Sequence, residues 1–163
     1  MKITALQEYG MRILLRLAEE KANIQPMRIR SIAKKEALSV DYVEKILTRL
    51  RKVGLVKSVR GLNGGYALAR DPEKISIGEA IMSLTEKQLE LNHLKRDLCG
   101  QFPGNQTKCI HLRGCTIRQM WTMVMVQIYG SLNQIHLSDL LGDELSVRNR
   151  LTGFIEKNNF SMV

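Results

Sequence analysis

The sequence predicts a mainly α-helical chain carrying one small β-hairpin, and three observations lead there. Aromatic residues make up 5% of the chain against 44% for apolar residues as a whole, so the core is built from Leu, Ile, Val and Met. That balance suits helix packing better than a β-sandwich, whose strands draw on β-branched and aromatic residues. Apolar residues recur at helical spacing up to Lys52 and again from Thr116. Between these stretches Gly61-Leu62-Asn63-Gly64-Gly65 separates two short strand-like runs, the pattern of a hairpin.

The first helix is expected from Ala5 to Lys21, with Thr4 as its N-cap and Leu6, Ile13, Leu14 and Leu17 on one face. Asn23 and Pro26 end it. A short second helix, Ile29 to Glu36, turns Ile29, Ile32 and Ala33 inward. A turn at Ala37 and Leu38 leads to Ser39, which can cap a third helix from Val40 to Lys52. There Val40, Val43, Ile46, Leu47 and Leu50 form an apolar stripe, while Lys45, Thr48, Arg49, Arg51 and Lys52 lie elsewhere on the cylinder. Gly54 stops the helix, and the nearby bases favour its negative end. Two short helices, a tight turn and a basic second member describe a helix–turn–helix.

Strands are expected over residues 55–60 and 66–70, with Asn63-Gly64 supplying the positive φ angles of the turn. A hairpin directly after such a helix is a wing. Its glycines allow close backbone approach to a duplex, and Arg60 can reach a minor groove. Asp71-Pro72 closes the unit, and Ser76 opens a fourth helix from Ile77 to about Leu84. The fold class is therefore a winged helix–turn–helix, expected over residues 1–84.

Residues 85–115 lose clear periodicity, hold every cysteine of the chain and read mostly as loop. A long helix follows from Thr116 to about Leu132. Ile117, Trp121, Val124, Ile128 and Leu132 form its stripe, and Met120, Met123, Met125 and Val126 widen it beyond what one domain face needs. Excess apolar width on a long helix points to a partner helix, most simply that of a second copy. A short helix is expected from His136 to Leu141. The polar segment over residues 143–163 reads as a loosely ordered tail.

The 25 Lys and Arg against 16 Asp and Glu give a formal charge of +9. Such a charge suits a polyanionic partner, because neutralising phosphates releases counterions. No apolar run spans a membrane and the opening residues do not form a signal peptide, so the chain reads as cytoplasmic. His93, His111 and His136 are dispersed, and neither a nucleophile elbow nor a phosphate loop occurs, so nothing specific supports an enzyme. Cys99, Cys109 and Cys115 are the only cysteines. Clustered thiols in a reducing compartment point to zinc or an iron–sulfur cluster; a redox disulfide and no special role stay open.

The chain resembles the Rrf-two family of winged-helix transcription regulators, which includes IscR-like and NsrR-like iron–sulfur sensors. The resemblance runs to about Leu141. It rests on Tyr9-Gly10, on Leu38-Ser39-Val40-Asp41-Tyr42-Val43-Glu44 and on Leu50-Arg51-Lys52-Val53-Gly54-Leu55-Val56. Its most specific piece is Ser58-Val59-Arg60-Gly61-Leu62-Asn63-Gly64-Gly65-Tyr66; Ile77-Gly78-Glu79-Ala80-Ile81 and the cysteine trio before a long helix agree in order.

The resemblance implies a homodimeric regulator, expected to be a repressor, that binds a palindromic operator in double-stranded DNA. It implies that Ser39, Asp41, Tyr42 and Glu44 meet bases or phosphates in the major groove, that Arg51 supports backbone contacts and that Arg60 enters the minor groove. It further implies an iron–sulfur cluster, 2Fe–2S or 4Fe–4S, on Cys99, Cys109 and Cys115. Two departures bear on this. Nine residues separate Cys99 from Cys109, more than in the best-known members, and Arg118 stands where some members carry a ligating histidine. A charged guanidinium cannot ligate. Glu8 matches the first-helix position where other members use a carboxylate, so it is the candidate fourth ligand, donated by the partner subunit, with His111 in reserve. A cluster-free member switched by thiol oxidation or a partner protein is the alternative, and an enzyme using the cysteine loop the second.

Overall fold

The computed structural model describes residues 3–21, 26–85 and 114–157. Among these it has six α-helices and one two-stranded sheet: α1 (Ala5–Lys21), α2 (Ile29–Glu36), α3 (Val40–Lys52), β1 (Val56–Val59), β2 (Gly65–Leu68), α4 (Ile77–Ser83), α5 (Thr116–Gln134) and α6 (Glu144–Lys157). Single 3₁₀ turns cover Pro72–Lys74 and Leu137–Leu140.

Local chemistry explains the helix starts. Thr4 Oγ1 accepts from the Gln7 amide while Gln7 Oε1 accepts from the Thr4 amide, a reciprocal cap that satisfies two orphan donors. Ser39 Oγ accepts from the Tyr42 amide at the start of α3, and Ser76 Oγ from the Glu79 amide at the start of α4. The α2–α3 turn passes through Ala37 at φ 54°, a left-handed conformation unusual for a residue with a Cβ.

The core lies between α1, α2, α3 and the wing. Ile13, Leu14, Ile32, Val43, Ile46, Leu47, Leu50 and Leu55 are fully buried there, joined by Ile75, Leu84 and Leu137. Val40, expected in the stripe of α3, is instead exposed in its first turn. After α5 the chain returns to this domain: the Leu137 amide donates to Ile75 O and the Ile77 amide to Ile135 O. Gly78 permits the close packing of α4 on α5, since a Cβ there would meet Asn133 Oδ1 at 2.2 Å.

Two expectations are corrected. The positive φ of the wing loop falls on Gly61 (φ 111°), not on Asn63-Gly64. The loop is closed by the Gly64 amide donating to Gly61 O, so its chirality is set one residue after Arg60. The second correction concerns the tail, which contains the helix α6. Asp143 caps it by accepting from the Ser146 amide and hydroxyl, and these bonds hold its carboxyl below the usual carboxylate range. Arg150 of α6 donates to the carbonyls of Asp139 and Leu141, fastening the helix to the 3₁₀ turn.

Candidate nucleic-acid interface

The amino end of α3 is the centre of the candidate site. Ser39, Asp41 and Glu44 are exposed there. Asp41, Glu44, Lys45, Thr48, Arg49 and Lys52 line one open depression along the outer face of the helix. Carboxylates at its amino end and bases towards its carboxyl end complement the helix dipole. Arg51 and Arg60 are also exposed, the latter at the end of β1.

Tyr42 differs from its neighbours. It is half-buried, and its ring meets that of Tyr9 edge-on, with centroids 5.9 Å apart. Arg12 lies over the other partner, its guanidinium carbon 5.7 Å from the Tyr9 centroid. An edge-to-face pair and a cation over a ring thus tie α1 to the start of α3.

A buried carboxylate ties α1 to α2. Glu36 accepts from Arg12 Nε on one oxygen and from Arg16 Nε on the other, each at 2.9 Å. The Glu36 hydrogen bond raises the Arg16 pKa above the usual arginine value. Glu36 is the last residue of α2, where a carboxylate faces the negative end of the helix dipole; the two guanidinium groups offset that repulsion.

The wing is joined to the helix–turn–helix. Met27 and Tyr66 exchange two backbone hydrogen bonds of 2.8 Å, and Arg28 Nη2 donates to Leu62 O at 2.7 Å. Sequence reasoning did not single out Arg28. Its partner lies 34 residues away, so no local pattern marks it.

Of the candidate metal ligands, Cys115 and Glu8 lie among the described residues, whereas Cys99, Cys109 and the reserve His111 lie outside them. Cys115 is free and half-buried at the amino end of α5, where its Sγ accepts from the Arg118 amide at 3.3 Å. Glu8 is exposed in the first turn of α1. Among the described residues no three His, Cys, Asp or Glu side chains converge on a metal-sized site. No helix among them is long and apolar enough to cross a membrane.

Residues 3–143 match the family model Rrf2, described as an iron-dependent transcriptional regulator. The chain is 33% identical over 143 residues to the protein rrf2 of Nitratidesulfovibrio vulgaris, covering 88% of this chain and 89% of that one. Among solved structures it is similar to T. potens IscR, with a TM-score of 0.63 and 31% identity over 86% of this chain and 85% of that one. It is also similar to CymR, the global cysteine regulator of B. subtilis, with a TM-score of 0.64 and 28% identity over 86% and 95%. The order of elements, the exposed amino end of α3 and the adjoining wing agree with these relationships, and the chain belongs to the Rrf2 family of transcription regulators.

Proposed function

We propose that the protein is a homodimeric, cytoplasmic repressor that reads a palindromic operator with α3 and the wing, under control of an iron–sulfur cluster. The observation that carries the DNA-reading part is the exposed amino end of a capped α3 beside the exposed Arg60. Ser39, Asp41 and Glu44 meet base edges or phosphates; a carboxylate at a base edge accepts from cytosine's amino group. Arg51 contacts the backbone and Arg60 enters the minor groove. Tyr42 serves partly by packing on Tyr9, leaving its hydroxyl for the duplex.

The dimer is supported by α5, where Ile117, Met120, Trp121, Met123 and Val126 are all exposed. An apolar surface of this kind on a regular helix suits burial against a second copy. Two recognition helices then sit about one helical turn of DNA apart.

The donor set suits an iron–sulfur cluster. Cys115 offers a free sulfur at a helix amino end, and Glu8 offers an exposed carboxylate. Cys99, Cys109 and Cys115 would hold the cluster, with Glu8 of the other subunit as the fourth ligand. A bound cluster supplies iron ligation sensitive to oxidation, nitric oxide or iron supply. Glu8 precedes Tyr9, so a ligand at Glu8 bears on the contact that positions Tyr42 and α3. Anaerobic purification followed by visible absorbance and iron and sulfide analysis tests this reading. About two or four irons per subunit support it. A colourless, iron-free protein from cells able to build clusters overturns the cluster part and favours a thiol switch, the reading that the half-buried free Cys115 also serves.

A further inference from the structure

The tip of the wing carries a feature that none of these roles uses. Leu62 is 94% exposed, more than any other large apolar side chain among the described residues. An exposed leucine alone needs no explanation. This one sits on a turn whose backbone is bonded both within itself and to Arg28. The Gly64 amide donates to Gly61 O, and Arg28 Nη2 donates to the carbonyl of Leu62 itself. Gly64 has no space for a Cβ, which would meet Val59 O at 2.5 Å. The segment that carries Arg28 is in turn bonded to β2 through Met27 and Tyr66, and a Cβ on Gly65 would meet Met27 O at 2.5 Å. These bonds fix the backbone of the tip, so the Cα of Leu62 is held in place. The tip presents an exposed apolar side chain two residues after Arg60.

We propose that Leu62 is an apolar reader of the DNA minor groove, carried on a backbone that Arg28 holds as a positioning residue. The proposal rests on the reading that the wing meets duplex DNA. A leucine cannot pair with a hydrogen-bond donor. In the minor groove, G·C pairs add the guanine 2-amino donor that A·T pairs lack. Burying that donor against Leu62 leaves it unpaired, so the tip disfavours G·C at the step it touches. Contact with sugar walls or partial insertion between base steps rewards burial of the side chain. The bond from Arg28 to Leu62 O means that the backbone part of the ordering cost is met before the complex forms.

The test uses the full-length protein and a duplex selected by the wild-type chain from a random-sequence library, with affinity followed by fluorescence anisotropy. Leu62→Ala removes most of the side chain and is expected to bind about tenfold more weakly with an unchanged salt slope, since no charge is lost. A G·C pair is placed at the step under the wing, and replacing its guanine by inosine then deletes the 2-amino group. The replacement is expected to strengthen wild-type binding several-fold and to leave Leu62→Ala unmoved. Arg28→Ala is expected to lose the same discrimination while keeping the salt slope, whereas Arg60→Ala lowers the slope by about one. Wild-type affinity in both Leu62→Ala and Arg28→Ala overturns the proposal. An equal inosine response in wild type and Leu62→Ala overturns the reader role, and a slope lowered by about one in Arg28→Ala places that guanidinium on a phosphate and overturns the positioning role. If the wild-type chain selects no duplex at all, the failure lies with the DNA-reading function itself, which is a separate result.

Discussion

Replacing Glu36 by glutamine tests whether the paired arginines hold the helix–turn–helix to α1. The Glu36 side chain is 3% exposed and takes one guanidinium on each oxygen at 2.9 Å. Glutamine keeps the volume but removes the charge and turns one acceptor into a donor facing a guanidinium. Two hydrogen bonds to charged groups set an upper bound of about 6 kcal/mol. The arginine side chains are 44% and 33% exposed, so water replaces much of what they lose. Each pair is therefore worth nearer the surface value of about 1 kcal/mol. The unpaired buried amide adds about 1 kcal/mol. The expected loss is about 3 kcal/mol, which in a chain of this size lowers Tm by roughly 6–12 °C. Circular dichroism at 222 nm measures the melt. Repeating it in molar salt separates the two contributions, since an exposed pair is screened and a buried unpaired donor is not. A Tm within about 1 °C of wild type would refute the reasoning.

Three further outcomes are expected. Gly10→Ala would set a Cβ 2.4 Å from Cδ1 of the fully buried Leu84, so overpacking outweighs the gain in helix propensity. A net loss of about 1–2 kcal/mol is expected in a denaturant melt. Trp121→Arg, with Met123→Glu as a second variant, should convert dimer to monomer in sedimentation while leaving the winged domain's far-ultraviolet spectrum intact; a dimer unchanged in both refutes α5 as the interface. Burial raises the Tyr129 phenol above its ordinary value of 10.0. The stability it contributes is full below pH 10 and is lost as pH rises through the higher folded value. Tyr129→Phe should shift alkaline unfolding to higher pH, read by circular dichroism against absorbance at 295 nm.

The readable parts of the sequence were those set by neighbours in the chain. Thr4 and Gln7, Ser39, and Gly54 fix the ends of α1 and α3 through bonds that span only a few residues, so those ends could be placed from the sequence. The wing is legible as an element, but the sequence pattern puts its turn chirality at Asn63-Gly64. That assignment fits a two-residue turn, whereas a bond from Gly64 to Gly61 O places the left-handed residue earlier. The helix α6 was hidden by polar composition, although Asp143 and the spacing of Val147, Leu151 and Phe154 carry a helical signal. Tyr42 was expected at the duplex, and nothing nearby in sequence announces Tyr9 as its packing partner. Arg28 was missed for the same reason of distance. Cys99 and Cys109 fall outside the described residues.

The way α5 is fastened has a mechanical consequence. Its carboxyl end is fixed to the winged domain: Tyr129 is buried, Asn133 packs on Gly78 and accepts from Ser76 Oγ, and the chain beyond it is bridged to Ile75 and Ile77. Cys115 sits at the opposite end, about 25 Å away along the axis. The helix is therefore a lever with its pivot beside α4. A rotation of about 5° at the pivot sweeps the Cys115 end through about 2 Å, from simple arc length over that span. Read in reverse, a displacement imposed at the cysteine end reaches the pivot reduced in amplitude and multiplied in force, where Asn133 packs on Gly78 at the start of α4.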